Sequence, residues 1–229
     1  MTQDLLKQRW NESYERSENA IFYPKEEILR FLNHFVRKRV GPEAFENILQ
    51  RQAVIRGLDY GCGIGRQAIL MKEFGLDVYG IDISDTAIQR AKNLSSSMGF
   101  GELSSHFSVF DGLTTPFADR HFDITICVGV VDSMPFDLGK GVIREIERVT
   151  NELAFVSLIS DLDGKQPGEQ VIQTEHEHGT VQSYYNPDKI QDLLSNTGFE
   201  ILWITQVLRT NLKSFHQYGR YYLVLEKSQ

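Results

Sequence analysis

The chain has 229 residues, 41% of them hydrophobic and 24% charged, which suits a globular protein with a substantial core. Its formal charge of -7 offers no general attraction to a phosphate backbone, and its two cysteines exclude a disulfide framework. No apolar run reaches membrane-spanning length and no signal-type core opens the sequence, so the expectation is a cytoplasmic protein without nucleic acid or membrane as partner.

The first elements read as helical. Leu6, Trp10 and Tyr14 recur at a spacing of four, and Ile28, Phe31, Leu32, Phe35 and Val36 follow an i, i+3, i+4, i+7, i+8 pattern. Pro24 sits near the start of this second helix and Gly41-Pro42 ends it, with Arg37 to Arg39 as a solvated cationic helix end. Residues 1–52 are therefore expected to form a helical cap. From residue 53 onward strands alternate with helices: "AVIRGLDY", a glycine turn, a helix through Phe74, "DVYGID", then a helix that Ser84 caps. "SHFSVFD" and the apolar "FDITICVGVV" are the third and fourth strands, and a helix through Val142, Ile143, Ile146 and Val149 leads into "ELAFVSLIS". Asn186-Pro187 opens a last helix, and "FEILWITQVL" and "GRYYLVLEK" close the chain as strands. This alternation predicts an α/β fold, doubly wound around a mostly parallel sheet. The polar, glycine-containing stretch 161–185 breaks the rhythm and is expected to be a lid or acceptor-site insertion.

"GLDYGCGIGRQ" is where a ligand cleft would form, beyond the C-terminal edge of the first parallel strand. Gly61, Gly63 and Gly65 give G-x-G-x-G, but Arg66 stands where the dinucleotide pattern has its third glycine. Asp59 precedes the turn, Asp82 lies about 20 residues beyond it at the end of the second strand, and Asp111-Gly112 closes the third. A ribose would bond Asp82, and an adenine amine would bond Asp111. Asp59 would repel a pyrophosphate and tolerate a cationic tail. Turn chemistry is the competing reading for Asp111.

As a set, "LDYGCGIGR", "GIDIS", "VFDG" and "FDITICVGVVDSM" resemble the motifs of class I, Rossmann-like, S-adenosylmethionine-dependent methyltransferases of the small-molecule type. "LLSNTGFEI" is similar to the last helix and strand of many such members. The resemblance covers Val54 to about Val207. It implies a seven-stranded sheet whose last strand is antiparallel. It also implies S-adenosylmethionine as methyl donor, with Asp59 and the glycine turn at its methionine part, Asp82 at the ribose and Asp111 at the adenine. The implied binding set comprises Asp59, Gly61, Cys62 (through its backbone), Gly63, Gly65, Asp82, Ile83, Asp111, Gly112, Val128 and Gly129. Trp10, Tyr14 and Tyr23 would cover a sulfonium with aromatic faces or simply pack the N-terminal helices.

On the acceptor side, His176 and His178 would share one face if they lay on a strand, and either is a candidate base for a hydroxyl acceptor; a solvated loop is the competing reading. With no third separated ligand nearby, no metal site is expected. Asp132, just beyond the fourth strand, and Tyr184 complete the candidate catalytic set. The expected activity is methyl transfer to an oxygen or nitrogen of a small polar acceptor such as a sugar, polysaccharide precursor or secondary metabolite. Two alternatives stay open: a catalytically silent S-adenosylmethionine-binding subunit, and a nicotinamide-dependent oxidoreductase. The acceptor's identity and the oligomeric state are not encoded in these motifs.

Overall fold

A computed structural model describes residues 3–50, 54–163 and 168–228. The expected boundary at 52 and 53, and Gly164 in the insertion, lie outside the described residues.

Helix α1 spans Gln3–Glu15. Helix α2, Glu26–Phe31, runs on into a wider π-type turn at Leu32–Val36, so the predicted apolar stripe is one continuous helical stretch. The Arg37-to-Arg39 reading needs correction. These residues form strand β1, Arg37–Arg39, paired antiparallel with β2, Phe45–Asn47. The reason is local: Arg37 Nη1 donates to the carbonyl of Phe74, where the next helix ends, and its guanidinium lies 4.6 Å from the Phe45 ring centroid. The cation complements a helix C-terminus, but that of a different helix.

The main sheet contains β3 (Arg56–Tyr60), β4 (Asp77–Asp82), β5 (Phe107–Val109), β6 (Phe122–Val128), β7 (Thr150–Ser160), β8 (Gly168–Val171), β9 (Val181–Tyr185), β10 (Phe199–Thr210) and β11 (Gln217–Lys227). Its main path runs β10-β11-β7-β6-β3-β4-β5. The pairs from β7 to β5 are all parallel, whereas β11 is antiparallel to both β7 and β10. This is the Rossmann-like arrangement expected, with the last strand reversed. Helices α3 (Arg66–Glu73), α4 (Asp85–Ser97), α5 (Phe136–Val149) and α6 (Pro187–Leu194) cover the two faces.

Alternation along the strands divides the core. Leu153 and Phe155 of β7 join the layer under α2, α3 and α4, while Ala154, Val156 and Leu158 join the layer under α5 and α6. The caps behave as the residue types dictate. Ser84 Oγ accepts from the amide of Ala87, and Asn186 Oδ1 from that of Lys189 with Pro187 at the first helical position.

The irregular stretch after β7 holds more structure than its composition predicts. β8 and β9 form a hairpin, and β9 joins β7 in parallel through Ile159–Tyr184 and Ser160–Tyr185. Ser183 Oγ donates to the carbonyl of Met134, which fastens this hairpin beside the end of β6. His176 and His178 therefore lie on the turn between β8 and β9 and not on a strand.

Candidate active site

A cavity of about 300 Å³ opens at the C-terminal ends of β3, β4 and β6. Gly61, Cys62 and Gly63 form its floor after β3; Asp82 and Ile83 line it from β4; Phe110 and Gly112 follow β5. Val128, Gly129, Asp132 and Met134 come from the end of β6 and the turn beyond it. Leu6, Trp10 and Tyr14 of α1 close one side, and Glu177 and Gln182 of the β8–β9 hairpin another.

The glycine turn has a specific fold. The amides of Gly61 and Cys62 both donate to the carbonyl of Ile81, which draws the turn across the end of β4. Gly61 and Gly63 have φ values of 71° and 54°, a region that side chains rarely adopt. A Cβ on Gly61 would collide with Val130, and one on Gly63 would come within 2.6 Å of the Tyr14 hydroxyl. Helix α1 thus rests directly on the turn, and its ring pair Trp10–Tyr14, with centroids 6.3 Å apart, faces the same cavity.

The carboxylates divide by what already occupies them. Asp59, 1% exposed, lies beneath the turn and accepts from the amide of Ala68 at 3.0 Å. Ala68 is in the first turn of α3, whose N-cap residue is Gly65 and offers no side-chain oxygen, so Asp59 supplies the missing cap from the neighbouring strand. Burial pushes its carboxyl up to about 7, against the Ala68 hydrogen bond. Asp82 accepts from the amides of Gly63 (2.8 Å) and Ser84 (2.9 Å), and burial pushes it up to about 6. It still faces the cavity, and each carboxylate oxygen has a second lone pair. Asp111 is exposed, outside the cavity wall, and its Oδ1 accepts from the amides of Leu113 and Thr114. That is the turn chemistry its Asp-Gly sequence allows.

Asp132 differs from these. It is 3% exposed, lines the cavity, and its Oδ1 has no hydrogen-bond partner among the described residues. Burial raises its carboxyl to about 6, opposed by the positive charges of Arg220 and Lys25.

Of the remaining sequence candidates, Tyr23 is 75% exposed and contributes only a carbonyl, which accepts from Arg66 Nη1 at 3.4 Å. His176 and His178 are exposed and stand outside the cavity wall, while Glu177 between them points to it. Tyr184 is buried, and its hydroxyl donates to Gln182 Oε1 at 3.0 Å. The sequence reading missed Gln67, Lys25, Arg220 and Glu177, all of which line the cavity. Gln67 adjoins the motif and sits in the first turn of α3, a position next to any ligand on the glycine turn. Lys25 and Arg220 are almost two hundred residues apart and carry no local signal.

Comparison with known proteins agrees with this geometry. Residues 58–156 match the family model described as a methyltransferase domain. The O-methyltransferase resE of Aspergillus sclerotiorum is 30% identical over 161 residues, covering 68% of this chain and 58% of that one. The ajmaline N-methyltransferase of Rauvolfia serpentina is 29% identical over 138 residues, covering 57% and 46%. The chain thus spans about half the length of these two relatives. In fold it matches magnesium protoporphyrin IX methyltransferase from Synechocystis, solved with S-adenosylmethionine bound, at a TM-score of 0.59 and 16% identity, covering 94% of this chain and 80% of that one. The matched domain over residues 58–156 and the shared fold support a class I S-adenosylmethionine-dependent methyltransferase.

Proposed function

We propose that this protein transfers a methyl group from S-adenosylmethionine to an oxygen or nitrogen of a small polar acceptor. The observation that carries the reading is one cavity bounded by the left-handed glycine turn, a buried Asp82, an aromatic pair on α1 and the unpartnered oxygen of Asp132. The residues present fit the donor: the backbone of Gly61 and Gly63 lines the cavity, with Val130 and Tyr14 packed where their side chains would stand, and Asp82 retains lone pairs for hydroxyl donors. Trp10 and Tyr14 offer aromatic faces to a cation. When bound, S-adenosylmethionine supplies an electrophilic methyl group on a positively charged sulfur, a charge that disappears as the methyl leaves.

The chain's own residues then provide alignment and a dry site. Ile83 and Gly112 bound the nucleoside side, Val128 and Gly129 the middle, and the β8–β9 hairpin the acceptor side. Within the expected 1–52 and 161–185, the described residues 3–50 act as the cap and 168–185 as the acceptor-side wall. Asp132 takes the proton from a hydroxyl acceptor, a role that its burial and its free oxygen support better than the exposed positions support His176 or His178. Tyr184 fixes Gln182 through its hydroxyl and serves as a positioning residue.

Calorimetric titration tests the donor assignment. S-adenosylhomocysteine should bind and NAD should not, and Trp10→Ala should weaken S-adenosylhomocysteine at least fivefold. Binding of NAD without S-adenosylhomocysteine would overturn it.

A further inference from the structure

The acceptor end of the cavity holds opposite charges that do not touch. Lys25 lines it and is partly buried; its carbonyl accepts from the amide of Ile28, but its ammonium makes no hydrogen bond and no ion pair within 4.0 Å among the described residues. Arg220 lines it from β11. Its Nη1 is fixed by Asp163 Oδ2 (2.5 Å) and the carbonyl of Gly219 (2.8 Å), while Nε and Nη2 make no hydrogen bond among the described residues. Across from them stands the unpartnered Oδ1 of Asp132. The field at Asp132 is set first by Arg220 and then by Lys25, whereas Arg66 acts on Tyr14 and Asp59 at the glycine turn. The two cations therefore belong to the Asp132 end of the cavity and Arg66 to the donor end.

Lys25 and Asp132 line the same cavity and feel each other's charge, yet form no ion pair within 4.0 Å. The other carboxylate at this end, Glu177, accepts one bond on each oxygen, from Asn19 Nδ2 at 3.1 Å and from Gln182 Nε2 at 3.3 Å. What the wall offers a guest here is thus the three donors of Lys25 and the remaining guanidinium N–H groups of Arg220, beside the unpartnered Oδ1 of Asp132. A cationic amine would meet those donors with nothing to give them. A carboxylate would satisfy them, since guanidinium and ammonium groups bond it with charge-assisted strength.

We propose that the acceptor is a hydroxy acid: its carboxylate is received by Lys25 and Arg220, and its alcohol or phenol hydroxyl faces Asp132. This inference rests on the methyl-transfer reading and names its substrate class.

The test titrates protein saturated with S-adenosylhomocysteine. The probes are 4-hydroxybenzoate, 3-hydroxybenzoate, mandelate and 3-hydroxybutyrate, each beside its primary amide. At least one acid should bind tenfold or more tighter than its amide. That preference should vanish in Lys25→Met and persist in Lys25→Arg, with melting temperatures reporting that both variants fold. If Lys25→Met does not fold, Lys25→Gln serves the same arm. Equal binding of acid and amide, an acid preference that survives loss of the ammonium, or no acid binding at all would overturn the inference. Failure of S-adenosylhomocysteine itself to bind would instead bring down the donor assignment, so the two failures are distinguishable.

Discussion

Gln67 is 5% exposed and brings an amide oxygen to the cavity with no hydrogen-bond partner among the described residues. A buried acceptor left unpaired costs about 1–3 kcal/mol, so the free protein carries a penalty that a donor group on a ligand removes. Gln67→Met should therefore raise the melting temperature or leave it unchanged, yet weaken S-adenosylhomocysteine three- to tenfold by calorimetry. A purely structural glutamine would show the reverse: lower stability and unaltered binding. At this scale the sequence was informative about position and silent about partners. The spacing of Asp59 and Asp82 around "GCGIG" placed both beside the glycine turn. It could not show that the Ala68 amide would claim Asp59, a consequence of a helix whose N-cap is glycine. Asp111 was legible both ways, and the two amides at its Oδ1 favour the turn.

Helix α1 is held by polar contacts more than by core. Lys7 pairs with Asp85 at 2.7 Å, Ser84 Oγ donates to Asn11 Oδ1 at 2.6 Å, and Glu18, just past the helix end, accepts from the amide of Glu177 at 3.0 Å. Such partly exposed contacts are individually worth little. The close approach of Tyr14 to Gly63 is what couples the helix to the glycine turn. Gly63→Ala should cost about 1–2 kcal/mol for the left-handed backbone alone. It should also weaken S-adenosylhomocysteine by displacing Tyr14. In a double-mutant cycle, Tyr14→Phe should recover part of the Gly63→Ala loss, because it removes the oxygen that the new methyl meets. Strict additivity of the two changes would show that helix and turn are independent. Element by element, the βα rhythm was readable because burial on both faces makes apolar strands and one-sided helices distinct. The β8–β9 hairpin was not, since "GEQV" and "VQSYY" are short and partly polar, and the hairpin joins the sheet through only the end of β7. Likewise β1 lacks an apolar alternation, and only its contact with the end of α3 explains why a cationic run becomes a strand.

Across the whole molecule, the C-terminal ends of β3, β4 and β6 gather Asp59, Asp82 and Asp132, three buried carboxyls in or just beyond the strands of one sheet edge. Their common position follows from the doubly wound topology, and a helical cap and a lid at 161–185 were expected over that edge; which side chains of α1 and the hairpin would line it was not legible. All three are raised by burial, to about 7, about 6 and about 6. An unfolded aspartate titrates near 3.9, so between about pH 4 and pH 7 the folded chain binds protons that the unfolded chain has released. Stability contributed by these groups is therefore full below about pH 4 and falls as pH rises toward 7. Glu18 acts in the opposite sense: its hydrogen bonds, led by that from Arg16, lower it to about 2, and its contribution disappears as pH falls below 4.5. Urea denaturation should accordingly give the highest midpoint near pH 5 and a lower one at pH 7.5. Asp59→Asn keeps an acceptor for the Ala68 amide but removes the most strongly raised carboxyl, so its midpoint should change less between those two pH values. Between pH 5 and 7.5 the stability change of the two proteins should differ by on the order of 2 kcal/mol. A wild-type midpoint that climbs steadily from pH 5 to 7.5, or a variant with the same slope, would mean that Asp59 is ionised at little cost and that water reaches the floor of the glycine turn.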